Sequence, residues 1–496
     1  MKKNKATESF CHSILQLEVG KSKALANLVM GLSSKPDARS VTAVSTSRCY
    51  HYQYSSIADA INALYEGGQY PEEEKQQARS ELEQKLLSLK SGYMAKPFDN
   101  KFYLLNTDSS SLIRPHSPTL PGRTHVYTAN NRVKGNRPVD IGYSISVVGL
   151  AARRPLYGAA EPAWDLPLSI RRLGIDSQGH TFAARQIQDL LDNEQLPFGG
   201  HLTVNASDRY YGSPEYIAPL YEQPNFVNAI RLTNNRAVWK ALSPQEREQR
   251  RAGNSDQRGA NAVYGEKYKL SQVEQWALPS DEETTFGVAL SNGRRVLVQM
   301  QGWGNMMVRS KRGMNMKDKP LRLVSVRLLD PQTKEPIFKR RMWLGVWGQR
   351  AAELTLEEVY WAYRQRFDIE HFLRFGKQNL LMDSFQTPDV EHLDNWMEIV
   401  SLAYWLLWAA KDEAQAKVYK WQKYDKRYKK RVEHGLPVSP SEVQRQMEFI
   451  ILSFEQEPFL PKLQIKSRGR KEGHAQGKRA RHKVVWKRKK AKKKRA

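Results

Sequence analysis

Apolar positions recur at helical spacing through the first ninety-odd residues. The runs SILQLEVGKSKALANLVMGL, SSIADAINALYEG and PEEEKQQARSELEQKLLSL predict amphipathic helices. Ser55 or Ser56 is placed to cap the middle one, and Pro71 to start the third. From Lys101 the texture changes. KFYLLNTDSSSL reads as a buried strand whose end carries Asp108. Residues 141–152 and 163–173 read as strands, and residues 180–194 as an amphipathic helix. After the Pro-Phe-Gly-Gly break at 197–200, residues 201–205 alternate as a strand, with Asp208 just past its end. A short helix follows near Ser213-Pro214, then the strand NFVNAIRLT. Residues 245–261 are charged and polar and read as a mobile loop. The runs TTFGVAL, RRVLVQMQGW, LRLVSVRLL and FKRRMWLGVWG then predict strands, with a turn at Asp330-Pro331. Thr355 with Glu358 is a capping box opening one helix over 355–380, in which Gly376 is the one weak interior residue. A long helix and a further amphipathic helix over 439–457 complete the pattern.

The order strand-Asp, strand, strand, helix, strand-Asp, helix, strand is that of an RNase H-like α/β core: three antiparallel strands, then parallel strands joined by crossover helices. Such a sheet brings the ends of its first and fourth strands side by side, so Asp108 and Asp208 could share a metal. The chain then divides into a helical N-terminal domain (1–98), a place for DNA-end binding or for a purely structural role, the first part of the core (99–235), a mostly β insertion (236–348), the rest of the core (349–415), a basic helical region (416–465) and a disordered basic tail (466–496).

Charge narrows the partners. Lys and Arg number 79 against 52 Asp and Glu, a formal net charge of +27. That excess points to a polyanion without separating DNA from RNA or an anionic membrane. The tail holds a single acid, Glu472, among its many cations and suits salt-dependent attachment to nucleic acid. The most apolar run, residues 399–410, is too short to span a bilayer and reads as a buried helix. MKKNKATESF is followed by no long apolar core, so no secretory signal is expected. Two cysteines, Cys11 and Cys49, are too few for a disulfide framework or a zinc finger and suit a reducing cytoplasm. Any metal would need oxygen or histidine ligands.

On a helical wheel Tyr363, Arg366, Glu370 and Lys377 share one stripe, with Arg374 beside it. A carboxylate among phosphate-binding side chains suits a metal ligand acting on a polyanion. An ordinary i,i+4 ion pair between Arg366 and Glu370 is the plain alternative. The spacing Tyr-x2-Arg-x3-Glu-x6-Lys resembles the signature of DDE transposases of the insertion-sequence-four group, and the resemblance covers roughly residues 100–415.

The resemblance implies that Glu370 is the third catalytic carboxylate and that Tyr363, Arg366 and Lys377, with Arg374, hold DNA phosphates. Asp208, in Asp-Arg-x-Tyr, resembles the second acid of that family. Asp108, in Asp-Ser-Ser, would be the first, with Asp140 its rival. A β insertion between the second Asp and the Glu is also a family feature, and a tryptophan in it, here Trp303, would stack on a flipped base; burial is the favoured reading for one of 12 tryptophans. Further implications are two Mg²⁺ or Mn²⁺ ions on the three acids, cleavage of double-stranded DNA at element ends and strand transfer into target DNA. A homodimer on paired ends in a prokaryotic, nucleoid-associated cytoplasmic setting is expected. The rivals are a nuclease of the same superfamily that does not integrate, a catalytically idle domesticated DNA-binding protein, and an RNA- or ribosome-associated basic protein.

Overall fold

The computed structural model describes residues 5–66, 70–128, 139–152, 162–253, 263–290, 294–311, 313–415, 424, 438–455, 471–475 and 477–486. Four helices come first: α1 (Lys5–Leu15), α2 (Ser22–Ser34), α3 (Ser55–Leu64) and α4 (Lys75–Ser91). Neither Ser55 nor Ser56 caps α3, whose N-cap is Tyr54 with no side-chain cap, and α4 begins four residues after Pro71.

The sheet starts with β1 (Phe102–Ile113), β2 (Thr124–Tyr127), β3 (Val139–Ala151) and β4 (Asp165–Arg172). Then come α5 (Gly179–Leu191), β5 (Leu202–Ser207), α6 (Pro214–Tyr221) and β6 (Phe226–Leu232). β3 lies antiparallel to both β1 and β4, whereas β1, β5 and β6 run parallel. Burial explains the apolar texture: all six residues of β5 are buried, as parallel strands covered on both faces require.

The segment 236–348 is mostly strand but forms no sheet of its own. It holds β7 (Ala237–Ala241), α7 (Pro244–Gly253), β8 (Tyr264–Lys269), β9 (Glu282–Ala289), β10 (Arg295–Met307), β11 (Leu321–Leu329) and β12 (Met342–Trp347). β12 pairs antiparallel with β6, and one sheet continues through β11, β10, β7 and β8. The expected loop over 245–261 begins as α7. There the Ser243 backbone N–H donates to the Glu246 carboxylate, and the Glu246 N–H donates to the Ser243 hydroxyl, a reciprocal cap that the charge of the segment hid. Residues 254–261 of that expectation lie outside the described residues.

Next are α8 (Leu356–Gln365), α9 (Asp368–Asn379), α10 (Val390–Ala409) and α11 (Pro440–Leu452). The capping box at Thr355 and Glu358 opens α8. The expected single helix over 355–380 is kinked at Arg366 and Phe367, both still in the right-handed helical region. Gly376 is buried, and a Cβ there would come 3.0 Å from Met382 Cε, so its low helix propensity is offset by close packing.

α10 is the central spoke. It packs on α2, α3 and β4, and α2 is buried along Ala24–Ser34, which leaves that helix no face for DNA. Lys90 of α4 forms a buried pair with Glu398 of α10 at 3.3 Å and also donates to the Leu168 carbonyl of β4. The N-terminal helices therefore share the core's hydrophobic cluster. Among the described residues no helix is long and apolar enough to cross a membrane.

The tail departs from expectation. Residues 477–486 lie against the segment after β1 instead of standing free: the His482 N–H donates to the Pro118 carbonyl and the Val485 N–H to that of Arg123, both at 2.8 Å. The described parts of 416–465 are Tyr424 and the stretch holding α11.

A bulge in β4 at Leu168, opposite Val148 and Gly149 of β3, shifts the register beside the buried Asp165, and a Cβ on Gly149 would sit 1.6 Å from Asp165 Oδ1. Gly149→Ala is expected to lower unfolding stability by about 2 kcal/mol or more, read from the urea midpoint. Gly287→Ala, on a β9 residue with open space around it, serves as the control and should shift stability by less than about 0.5 kcal/mol.

Candidate active site

β1 and β5 pair in parallel from Phe102 opposite Leu202 to Thr107 opposite Ser207. The next residue along the chain after each is an acid, so Asp108 within β1 and Asp208 just past the end of β5 follow neighbouring strands that lie about 4.8 Å apart. Asp108 is not at the end of its strand. β1 runs on to Ile113 while pairing with β3, and Asp108 marks only where β5 leaves it.

Each Asp commits one oxygen to backbone. The Ser109 N–H donates to Asp108 Oδ1 at 2.7 Å, and the Tyr210 N–H donates to Asp208 Oδ1 at 2.8 Å, capping the turn Arg209–Tyr211. The second Asp108 oxygen faces Arg366 Nη1 at 3.5 Å, and Arg366 Nη2 donates to Glu370 Oε1 at 2.8 Å. One guanidinium thus bridges the first and third candidate acids from the kink between α8 and α9. Its flat face also lies over the Phe367 ring at 4.5 Å. Asp140 is not part of this cluster. It pairs with Val126 on β2, seven residues along β3 from the Val147 that faces Asp108, a span of about 24 Å.

The electrostatics are those of a crowded anionic site. Burial, more than any other cause, pushes the Asp108 carboxyl up from 3.8 to about 6; the Ser109 N–H and Arg366 pull it down, and Asp208 and Glu370 push it further up. The Arg366 guanidinium is itself raised despite its burial, held charged chiefly by Tyr363 and Asp108 and also by Glu370.

The remaining sequence candidates are placed unevenly. Lys377 Nζ donates to the Ser111 carbonyl of β1 at 2.7 Å and lies 3.7 Å from Asp383. Arg374 is exposed. Tyr363 is 1% exposed with its hydroxyl unpartnered, so a phosphate cannot reach it in this arrangement. The four-residue stripe drawn on one continuous helix is therefore split: Tyr363 turns into the core, and Arg366 into the acids. Trp303 is 3% exposed, packs against Trp276 and Trp343, and donates its indole N–H to the Leu278 carbonyl, so no base can stack on it as it stands.

Sequence reasoning missed the buried polar layer beneath the acids. Asn106 donates to Asp165 Oδ2 at 2.5 Å and to the Gln365 carbonyl at 3.1 Å, so it fastens β1 to the kink. Thr107 donates to Asn205 Oδ1, and the Asn205 amide donates to the Tyr216 hydroxyl and to Asn228 Oδ1. The available signal was an Asn or Thr inside each apolar run, one to three residues before each acid.

A divalent metal can be weighed against this donor set. Carboxylates alone are the ligands that Mg²⁺ or Mn²⁺ prefers. Among the described residues, however, no three His, Cys, Asp or Glu side chains already converge as a metal cage. Arg366 supplies the positive charge between Asp108 and Glu370, so a cation suits the place it fills, and the acids would have to close around it.

The large mixed sheet, with helices packed on it and acids at neighbouring strand positions, is compatible with the RNase H-like class of DDE enzymes. Residues 170–406 match the family model described as the transposase DDE domain, and the match supports a DDE transposase, a nucleic-acid-cleaving enzyme. The matched span includes Asp208, Arg366 and Glu370 and leaves out β1 with Asp108. No curated protein matches the chain.

Asp108 binds its proton more tightly folded than unfolded, so its protonated form favours folding, and that contribution is lost as pH rises from about 4 through about 6. Asp108→Asn should therefore stabilise the metal-free protein at pH 7.5 by about 1–3 kcal/mol, with the gain fading toward pH 4. Urea unfolding in EDTA at both pH values checks this; an equal gain at pH 4 would mean that burial of the charge is not its source.

Proposed function

We propose that this protein is a transposase of the insertion-sequence-four type that cuts double-stranded DNA at element ends and joins the freed 3′-hydroxyl to target DNA. The observation that carries the reading is the juxtaposition of Asp108 and Asp208 by parallel register, with Glu370 tied to Asp108 through Arg366.

Asp108, Asp208 and Glu370 would hold two divalent ions, which when bound activate the attacking oxygen and stabilise the leaving one. The protein's own part is to deliver these carboxylates ionised and aimed. Backbone N–H groups from Ser109 and Tyr210 fix the two Asp side chains. Arg366 pairs with Asp108 and Glu370 while the site waits, then turns to a phosphate oxygen when it releases them, a role its planar fork suits. Arg374, already exposed, meets the DNA backbone nearby, and Lys377 braces α9 against β1. The protein would act as a homodimer that pairs two ends.

Two outcomes are expected. Glu370→Ala should cut Mg²⁺-dependent cleavage of end-bearing DNA by roughly 10³-fold with the circular dichroism spectrum unchanged; an unaffected rate overturns the enzyme reading. In the native protein the single-turnover rate should rise about tenfold per pH unit below about 6 and level off above it, because only ionised Asp108 can bind metal. Joined products in the same reaction separate a transposase from a nuclease that stops at cutting.

A further inference from the structure

The seated part of the tail builds a groove that the acid site does not explain. Residues 477–486 are held on the segment 115–125 by the two backbone hydrogen bonds from His482 and Val485. Arg123 donates back to the His482 carbonyl at 3.3 Å, Val485 bridges in parallel to Thr124 of β2, and the Trp486 ring lies 4.1 Å from that of His125. Seating leaves Lys478, Arg479, Arg481 and Lys483 exposed, and none of them has an acidic partner among the described residues. Lys478, Arg479 and Arg481 line a groove of 970 Å³ with residues 115–119 and 386–388, and no acid lines it.

The groove sits at the far end of the two elements that carry the acids. β1 leads from Asp108 toward the 115–119 wall, seven residues along the chain and at most about 24 Å away because β1 ends at Ile113. α9, with Glu370 in its first turn, leads on to the 386–388 wall. Arg114 donates to the Asp383 carbonyl at 2.8 Å and Lys377 to the Ser111 carbonyl, so the two walls are tied together. At 3.4 Å per step of one DNA strand, that span corresponds to at most about seven nucleotides.

We propose that the docked tail and the 115–119 and 386–388 walls form a second nucleic-acid site, a groove for the phosphodiester backbone of duplex DNA at most about seven nucleotides from the acids. Its assignment to the duplex that enters the acid site rests on the transposase reading; the groove's affinity for duplex DNA does not. Docking matters physically because it fixes three cations at one place, whereas a free basic tail spreads its charge over many conformations.

The test uses the full chain and a generic 20-base-pair duplex without element ends, with affinity measured by fluorescence anisotropy across salt concentrations. The triple variant Lys478→Ala, Arg479→Ala, Arg481→Ala should lower the magnitude of the log K against log salt slope by about 2–3 and weaken binding at least about tenfold at 0.1 M salt. Val485→Pro keeps every cation but removes the N–H given to Arg123, and Trp486→Ala, at an exposed position, removes the ring contact without touching the core. Both should reproduce most of the loss with an unchanged Tm. Three results overturn the proposal: a triple variant that binds like the native chain, undocked variants that bind like it while the triple variant does not, or losses seen only on vesicles containing phosphatidylserine. Loss of end cleavage in Glu370→Ala is read separately, so the transposase reading can fail while the groove stands, and the reverse.

Discussion

The parallel register of β1 on β5 is the constraint on which the rest depends. A slip of one residue would turn Asp108 or Asp208 to the opposite face of the sheet. Apolar alternation cannot set this register, because β5 is buried throughout and both faces of a parallel strand are covered. The polar layer supplies what alternation lacks. Thr107 finds Asn205, and Asn205 finds Asn228 and Tyr216, only when the three strands are aligned as they are. A slipped sheet would leave those amides buried and unpaired, at about 1–3 kcal/mol for each group. Specificity at the centre of the sheet therefore comes from a few hydrogen bonds in a layer that is otherwise apolar.

The same layer governs the helix above it. Asn106 donates to the Gln365 carbonyl, which a straight helix would engage with the N–H of Ile369. The Ile369 N–H turns instead to the Arg366 carbonyl at a long 3.4 Å. The kink that follows swings Arg366 between Asp108 and Glu370. An acid held near a pKa of 6 by burial would otherwise repel its neighbours, and the guanidinium offsets part of that charge between Asp108 and Glu370. A helix broken in this way, to serve a polar site and stabilised by the surrounding packing, is where a functional sequence departs from the most stable one.

Much of this was legible in the sequence because it is local. The strand and helix order, the Thr355 capping box, the apolar core helix over 399–410 and the short helix after Ser213 all follow from spacing and caps. What was not legible depends on distant partners. No Pro or Gly marks the kink at Arg366, since its cause lies on β1, some 260 residues earlier. The serines after Asp108 have the composition of a turn, yet β3 keeps them in a strand. Tyr363 and Lys377 share a stripe on an ideal wheel, but the bend sends one into the core and the other to a β1 carbonyl. Charge density made the tail read as disordered, because composition reports repulsion within a segment and is blind to backbone hydrogen bonds offered by residues 118 and 123.

Stiffness links these features. β1 and α9 leave the acids in the same direction and are fastened to each other twice, by Lys377 on the Ser111 carbonyl and by Arg114 on the Asp383 carbonyl. Arg114 is 1% exposed, so the donor side of this second tie is buried. A pair of elements tied twice at the end remote from the acids cannot splay there without breaking both hydrogen bonds. The spacing between the acids and the start of the far walls is therefore set by the pleat of β1 and by these ties, and the walls themselves continue as loops past Ile113 and Asn379. A polymer with a regular charge repeat is the kind of ligand that such a fixed spacing can measure, whereas a small molecule would gain nothing from it.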